Sequence, residues 1–131
     1  DPINHAYHWV VGNRAGIPGI LLTILFAGFG EETVFRGYLF ERMSKLLGPS
    51  IGAKALIVVL TSVWFGTNHF VLMGVAGFEN AAIAGLVFGT IYAINNRMLW
   101  LLIIAHLAAD SLAFAIIYFG LEARVAHLVF Q

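Results

Sequence analysis

Six polar side chains interrupt the apolar stretches of this sequence, and all are of types that transfer protons, pair charges or bind metal ions. They are Glu31, Glu32, Arg36, His69, His106 and Asp110. A charged side chain costs about 2.5 to 3.5 kcal/mol at the centre of a bilayer, so the three acids and the arginine would together cost roughly 10 kcal/mol there. A cost of that size indicates that these side chains have partners or a function in the folded protein.

The two adjacent glutamates differ in the neighbours that a helix would give them. Glu32 precedes Arg36 by four residues, acid first, which is the favourable order for a helical ion pair. Two interpretations of that pair stay open: a buried pair that orders the helix, and a direct chemical role. Glu31 has Phe35 four residues on, so no such pair is available to it. An acid without an ion-pair partner in an apolar helix is a candidate general base or acid.

The two histidines fall on other predicted helices. A lone histidine in an apolar helix is more often a packing residue than a catalyst, but polar intrusions on three separate helices favour one shared interior site. His106 and Asp110 are four residues apart, so the carboxylate can orient the imidazole. His69 shares a helix face with Phe65, whose ring can pack beneath it.

Two hydrolytic chemistries fit this set of residues. In the first, Glu31 activates a water molecule and the histidines stabilise an oxyanion. In the second, Glu31, His69, His106 or Asp110 bind a divalent metal such as zinc, whose bound water is the nucleophile. The sequence contains no HExxH motif, which leaves the metal alternative without its best-known spacing. It has no cysteine, and neither Ser62 nor Ser111 lies in a GxSxG motif, so cysteine nucleophiles are excluded and serine nucleophiles disfavoured.

Four helices of membrane-spanning length must position these residues, since a span needs about 20 mostly apolar residues. We expect them from about Ile17 to the Gly48-Pro49 stop, from about Lys54 to Phe70, over Ala81–Ile94 and over Met98–Phe119. A loop is expected over residues 74–80. Small residues recur every fourth position in the third helix and predict a close-packing face, at Ala81, Gly85, Gly89 and Ala93.

These helix starts create a difficulty of depth. His69 would lie about 22 Å along the second helix and His106 about 12 Å along the fourth, measured from the same side. The two histidines meet only if the helices tilt, begin at different levels or re-enter the membrane.

Composition fixes the class of protein. Hydrophobic residues make up 60% of the 131 residues and charged residues 11%, whereas a soluble domain has about 25% charged residues. Lys and Arg number 7, as do Asp and Glu, so no basic surplus indicates a nucleic-acid partner. We predict an all-α, polytopic transmembrane helix bundle with about four membrane helices, a multi-pass protein expected in the cell membrane. Because the sequence begins with Asp1 rather than Met, we expect it to be part of a longer chain.

The chain divides into three predicted regions. Residues 1–16 hold the aromatic pair Tyr7 and Trp9 and are expected at the membrane interface, residues 17–120 form the membrane core, and residues 121–131 form a C-terminal tail.

Basic residues are more frequent in the turns after the first and third helices than on the other side, four against two. The positive-inside rule therefore predicts that those turns face the cytoplasm. The four are Arg42, Lys45, Lys54 and Arg97, against Arg14 and Arg124.

Three ordered motifs resemble those of one family. EETVFR at 31–36 is similar to its EExxxR motif, FGTNH at 65–69 to its FxxxH motif, and HLAAD at 106–110 to its HxxxN/D motif. The chain thus resembles the CAAX protease and bacteriocin-processing (CPBP/Abi) family of intramembrane proteases, which includes the CAAX prenyl endopeptidase. The resemblance spans about Ile20 to Phe119.

The resemblance implies an intramembrane endopeptidase that acts on a membrane-associated peptide or protein in the lipid bilayer, such as a prenylated tail or a bacteriocin-like peptide. It implies that Glu31 activates water with His69 as its partner, and that His106 and Asp110 serve the oxyanion. Supporting positions would be Glu32, Arg36 and Phe65. No cofactor is expected on this mechanism, and zinc is the alternative.

One departure from the motif concerns Asp110. The prenyl endopeptidases carry Asn there, and an Asn amide can donate a hydrogen bond to an oxyanion whereas an ionised Asp cannot. Either Asp110 is protonated, or it orients His106 instead.

Two rival functions remain for the same polar residues: a non-enzymatic bacteriocin-immunity or membrane scaffold, and a small ion- or proton-coupled transporter.

Overall fold

The computed structural model describes residues 5–129, and every regular element in that range is a helix. In chain order these are a short 3-10 helix (His5–Val10), α1 (Arg14–Leu47), α2 (Ile51–Ile94), α3 (Leu99–Tyr118) and α4 (Glu122–Val129). The three helices α1, α2 and α3 are each long and apolar enough to cross a membrane. The predicted all-α, polytopic membrane bundle is confirmed. The boundaries of the predicted regions 1–16, 17–120 and 121–131 stay predictions, and residues 1–4, 130 and 131 lie outside the described part.

Helix α1 follows the predicted limits but is not a regular α-helix. A 3-10 turn, Arg14–Gly16, comes first and is capped by Asn13, whose side chain accepts a hydrogen bond from the Gly16 amide. The α-helical part starts at Ile17, and the helix ends at Gly48, whose φ of 85° stops it. Between these ends lie two π-helical segments, Phe26–Glu31 and Thr33–Phe40. A π turn closes its hydrogen bonds over five residues rather than four, so it holds more residues per turn. Apolar periodicity gave no sign of this change.

Helix α2 combines the second and third predicted helices. Gly74 has φ 62° and ψ −153°, a conformation open to glycine, and it breaks α2 into two arms, residues 51–73 and 75–94. The arms run antiparallel, because a Cβ at Gly85 would meet Ser62 and one at Gly89 would meet Val58. The predicted loop over 74–80 is therefore wrong: the chain reverses at one glycine and residues 75–80 are already helical.

Small residues let the two arms approach closely. A Cβ added at Gly85 would lie 2.9 Å from the Cα of Ser62, and one added at Gly66 would lie 2.8 Å from the carbonyl oxygen of Phe78. Ala81, Gly85 and Gly89 of the predicted small-residue row are buried. That row is a close-packing face, as predicted.

The Gly85 contact predicts a stability difference between two Gly→Ala variants. In Gly85→Ala the new methyl group meets backbone, so we expect a destabilisation of about 1 to 3 kcal/mol. In Gly52→Ala, on the same helix, the Cβ meets nothing within 4 Å, and the gain in helix propensity should stabilise by roughly 0.5 to 1 kcal/mol. Unfolding by denaturant in detergent micelles measures the free energy of unfolding of both variants. Equal stabilities would show that the two arms are not packed as described.

A polar contact ties the end of α1 to the turn before α3. Asn96 and Arg97 both have positive φ, 47° and 57°, and this turn directs Arg97 toward Glu41. The Arg97 Nη1 donates to Glu41 Oε2 over 2.5 Å, and the Tyr92 hydroxyl donates to Glu41 Oε1 over 3.0 Å. The turn predicted at residues 95–97 is therefore present, and it holds three helices together at one end.

Large apolar side chains cover the outside of the bundle. The most exposed include Val71, Leu72, Phe26, Trp100 and Ile104. Such a surface is unfavourable in water and suits contact with lipid, in agreement with the composition. The interior between α1, α2 and α3 is where polar side chains are buried.

Candidate active site

The site is built on a buried ion pair in the π-helical part of α1. Arg36 Nη1 donates to Glu32 Oε1 over 3.0 Å, and both residues are at most 1% exposed. Arg36 Nη2 also donates to the carbonyl oxygen of Gly85 over 3.3 Å, and the guanidinium lies over the rings of Phe65 and Phe88 at 5.2 and 5.8 Å. These contacts offset part of the cost of burying the charge, and Arg36 can fix the position of Glu32. Among the described residues, Glu32 Oε2 and Arg36 Nε have no hydrogen-bond partner.

Glu32 in turn holds His106. His106 Nδ1 donates to Glu32 Oε1 over 2.8 Å. Since an ionised carboxylate can only accept, this contact places a proton on Nδ1 and leaves Nε2 to face the rest of the site. A histidine held in this way has a fixed ring orientation, which is what directed proton chemistry requires.

Two carboxylates face the Nε2 atom of His106. Glu31 Oε2 lies 3.7 Å from it and Asp110 Oδ2 lies 3.6 Å from it. Both distances exceed a hydrogen bond, and the side chains of Glu31 and Asp110 are 31% and 28% exposed, so both can reach a bound molecule. An imidazole lone pair beside two ionised carboxylates would be repelled by both. With a proton on Nε2 that repulsion would be absent, and His106 would be a donor toward the site.

His69 lies beside this group on the first arm of α2. Its Nδ1 donates to the carbonyl oxygen of Phe65 over 2.9 Å, so its Nε2 carries the lone pair when the ring is neutral. The centroid of the Phe65 ring lies 4.6 Å from that of the His69 ring and 6.3 Å from that of the His106 ring, so Phe65 contacts both histidines. His69 also interacts electrostatically with both Glu31 and Asp110.

The structure therefore brings all four predicted catalytic residues to one place. Glu31 and Asp110 lie 3.7 and 3.6 Å from His106 Nε2, while His69 joins the group through the Phe65 ring. Both histidine rings contact Phe65, so the two histidines do meet in the folded chain. The roles assigned to these residues stay predictions.

The π-helical segments explain why two consecutive glutamates reach one imidazole. Successive side chains on an α-helix are about 100° apart, and in a π turn the angle is smaller because each turn holds more residues. Glu31 ends one π segment and Glu32 precedes the next. Helices α1 and α3 also approach closely at Gly28, where a Cβ would lie 2.7 Å from Leu107.

The sequence matches one family model, described as Type II CAAX prenyl endopeptidase Rce1-like, over residues 13–112. The match covers most of the chain and includes every residue of the site from Glu31 to Asp110. This chain belongs to the Rce1-like family. No significantly similar curated protein or solved structure was found. Membership supports CAAX-type proteolysis within a membrane as the general activity, and it agrees with the resemblance drawn from the three motifs.

Two residues of the Rce1-like site were missed by sequence reasoning. Phe88 packs its ring 5.7 Å from that of His106 and beneath Arg36, and Gly85 supplies a carbonyl oxygen to Arg36. Gly85 could have been found, since it belongs to the small-residue row on the packing face. Nothing in the sequence marks Phe88, because its contact depends on how the arms of α2 pack against α1 and α3.

Two observations in this Rce1-like chain bear on the serine and metal alternatives. Ser62 and Ser111 donate hydrogen bonds within their own helices, to the carbonyl oxygens of Val58 and Leu107. Ser62 is buried and serves as a packing hydroxyl, whereas Ser111 is exposed. Within residues 5–129, no group of three or more His, Asp or Glu side chains is placed to hold a metal ion. The zinc alternative stays a prediction, and chelation is its test.

Proposed function

We propose that this Rce1-like protein is an endopeptidase that cleaves a membrane-associated CAAX-type substrate with a water molecule activated by Glu31. The observation that carries the proposal is the Glu31 carboxylate, which faces His106 Nε2 while its Oε2 has no hydrogen-bond partner among the described residues. A buried acceptor left free in this way is available to a water molecule. Family membership supports the class of substrate.

The two histidines have different protonation states in this mechanism, and therefore different roles. The neutral His69 presents a lone pair at Nε2 and can accept a hydrogen bond from the attacking water, which orients it beside Glu31. His106, held at Nδ1 by Glu32 and faced by Asp110, presents a proton at Nε2 and can donate to an oxyanion. Asp110 then acts by stabilising the protonated His106, which accounts for an acid at a position where the prenyl endopeptidases carry Asn.

The reaction balances with these groups alone. Glu31 takes one proton from water as the water oxygen bonds to the carbonyl carbon, and the carbonyl oxygen becomes an oxyanion that accepts from His106. Glu31 then delivers that proton to the amide nitrogen as the carbon–nitrogen bond breaks. The carboxylate is regenerated, and the products are a new carboxyl end and a free amine.

Substrate choice tests the proposal. A farnesylated peptide ending in a CAAX sequence should be cleaved by the protein in lipid vesicles, and a bacteriocin-like leader peptide should not. The same CAAX peptide without its isoprenoid should be cleaved at least about tenfold more slowly, because it loses the binding energy of its apolar chain. Mass spectrometry of the products locates the cut. Cleavage of the leader peptide alone would reassign the substrate, and flux of ions without any cleavage would favour the transporter.

A further inference from the structure

Tyr7 lies at the edge of the site although it precedes the first membrane helix. The 3-10 helix His5–Val10 packs against α3, with Val10 fully buried and the Gly12 amide donating to the carbonyl oxygen of Tyr118 over 3.0 Å. The Tyr7 ring is half-buried and meets the ring of Phe114 edge to face, with centroids 5.3 Å apart. Its neighbour in the predicted aromatic pair, Trp9, is exposed.

The contact with Phe114 places Tyr7 on the catalytic face of α3. His106, Asp110 and Phe114 follow one another at intervals of four residues and therefore share one helix face. Tyr7 packs one turn beyond Asp110 on this face, and it interacts electrostatically with both Asp110 and Glu31. Among the described residues, the hydroxyl makes no hydrogen bond. Burial, and then the charges of Asp110 and Glu31, raise the pKa of the Tyr7 phenol, so it keeps its proton throughout the neutral range.

The site otherwise has few donors for an oxyanion. His69 in the tautomer described above offers a lone pair, an ionised Asp110 only accepts, and His106 provides one proton. Oxyanion sites of acyl-transfer enzymes generally supply more than one donor to the developing charge. The Tyr7 phenol, which keeps its proton and packs on the α3 face that carries His106 and Asp110, is a further donor available to this site.

We propose that the Tyr7 hydroxyl is a second hydrogen-bond donor to the oxyanion, alongside His106 Nε2. The role rests on the proposed function. Tyr7 keeps its proton and exchanges none with the substrate, so the proton transfers of the reaction are unchanged. Tyr7 acts on the tetrahedral state and contributes little to binding of the uncleaved peptide.

The test is Tyr7→Phe, which keeps the ring on Phe114 and removes only the hydroxyl. We expect kcat for the prenylated peptide to fall about 10²-fold, as for loss of one oxyanion donor, while KM stays within about twofold. Affinity for a peptide aldehyde, whose hydrate imitates the tetrahedral state, should fall by a similar factor. Tyr118→Phe is the matched control, since Tyr118 packs against the same apolar cluster and should keep the wild-type rate.

The outcomes separate this inference from the proposed function. Equal kcat for Tyr7→Phe and wild type would overturn the role of Tyr7 and leave the Glu31 mechanism standing. A fall in kcat that comes with a matching loss of thermal stability, or that Tyr118→Phe shares, would assign Tyr7 to packing and also overturn the role. A wild-type protein without Glu31-dependent cleavage would overturn the proposed function, and the Tyr7 role with it.

Discussion

Replacing Glu31 with Gln should lower kcat/KM for the cleaved peptide by roughly 10³- to 10⁴-fold, the upper part of the range for loss of a general base. Gln has nearly the size of Glu but cannot take a proton from water. The ion pair that holds His106 involves Glu32 rather than Glu31, so the framework of the site should survive the change. We therefore expect the thermal stability of Glu31→Gln to stay close to that of the wild type.

The control for this variant is Glu79→Gln, which makes the same chemical change on the exposed side of the second arm of α2. It should leave both rate and stability unchanged. If Glu31→Gln retains full activity, Glu31 is not the base. If it unfolds while Glu79→Gln does not, the carboxylate has a structural role that the contacts do not explain.

The largest loss of stability is expected for Arg36→Met. The variant removes the partner of Glu32 and leaves a buried carboxylate with only His106 beside it, which should cost about 3 to 5 kcal/mol. Arg97→Met removes the partner of Glu41 in a pair whose side chains are 40% and 29% exposed, and we expect a cost of at most about 1 kcal/mol. Both variants break one Arg–Glu ion pair, and only the Glu32–Arg36 pair is buried. The difference between their losses of stability therefore measures the effect of burial.

Unfolding by denaturant in detergent micelles gives the free energy of unfolding of Arg36→Met and of Arg97→Met. The double variant Glu32→Gln/Arg36→Met supplies a further check. Removing both charges should recover part of the loss, since no unpaired charge remains buried. A similar cost for Arg36→Met and Arg97→Met would show that the Glu32–Arg36 pair is open to water. The Arg36→Met protein should also cleave more slowly, because Glu32 would no longer hold His106 in place.

The sequence predicted much of the fold because helix length and punctuation depend on local chemistry. The start near Ile17 follows from Pro18 in the first helical turn, the stop at Gly48 from a glycine with positive φ, and the turn at 95–97 from its polar residues. The prediction of a loop over residues 74–80 was wrong. It was based on the glycines and polar residues there, whereas Gly74 alone reverses the chain between the two arms. The two π-helical segments of α1 were not predicted, because no residue type or spacing in the sequence distinguishes a π turn from an α turn.

For the candidate site, spacing predicted pairs within one helix and failed for contacts between helices. Glu32 with Arg36, and His106 with Asp110, could be paired from their separation of four residues. That Glu32 rather than Asp110 would hold His106 Nδ1 depends on the meeting of α1 and α3, which spacing does not reveal. The role proposed for Tyr7 was not predicted either, because an aromatic residue before a membrane helix is typical of the membrane interface.

The most direct test of the central claim is cleavage of the prenylated peptide in lipid vesicles by wild type and Glu31→Gln, each with and without a strong chelator. The glutamate mechanism predicts that the wild-type rate is unchanged by chelation and that Glu31→Gln shows the same large loss of rate in both conditions. Loss of the wild-type rate on chelation, with recovery on adding zinc, would contradict it and assign the water activation to a metal ion.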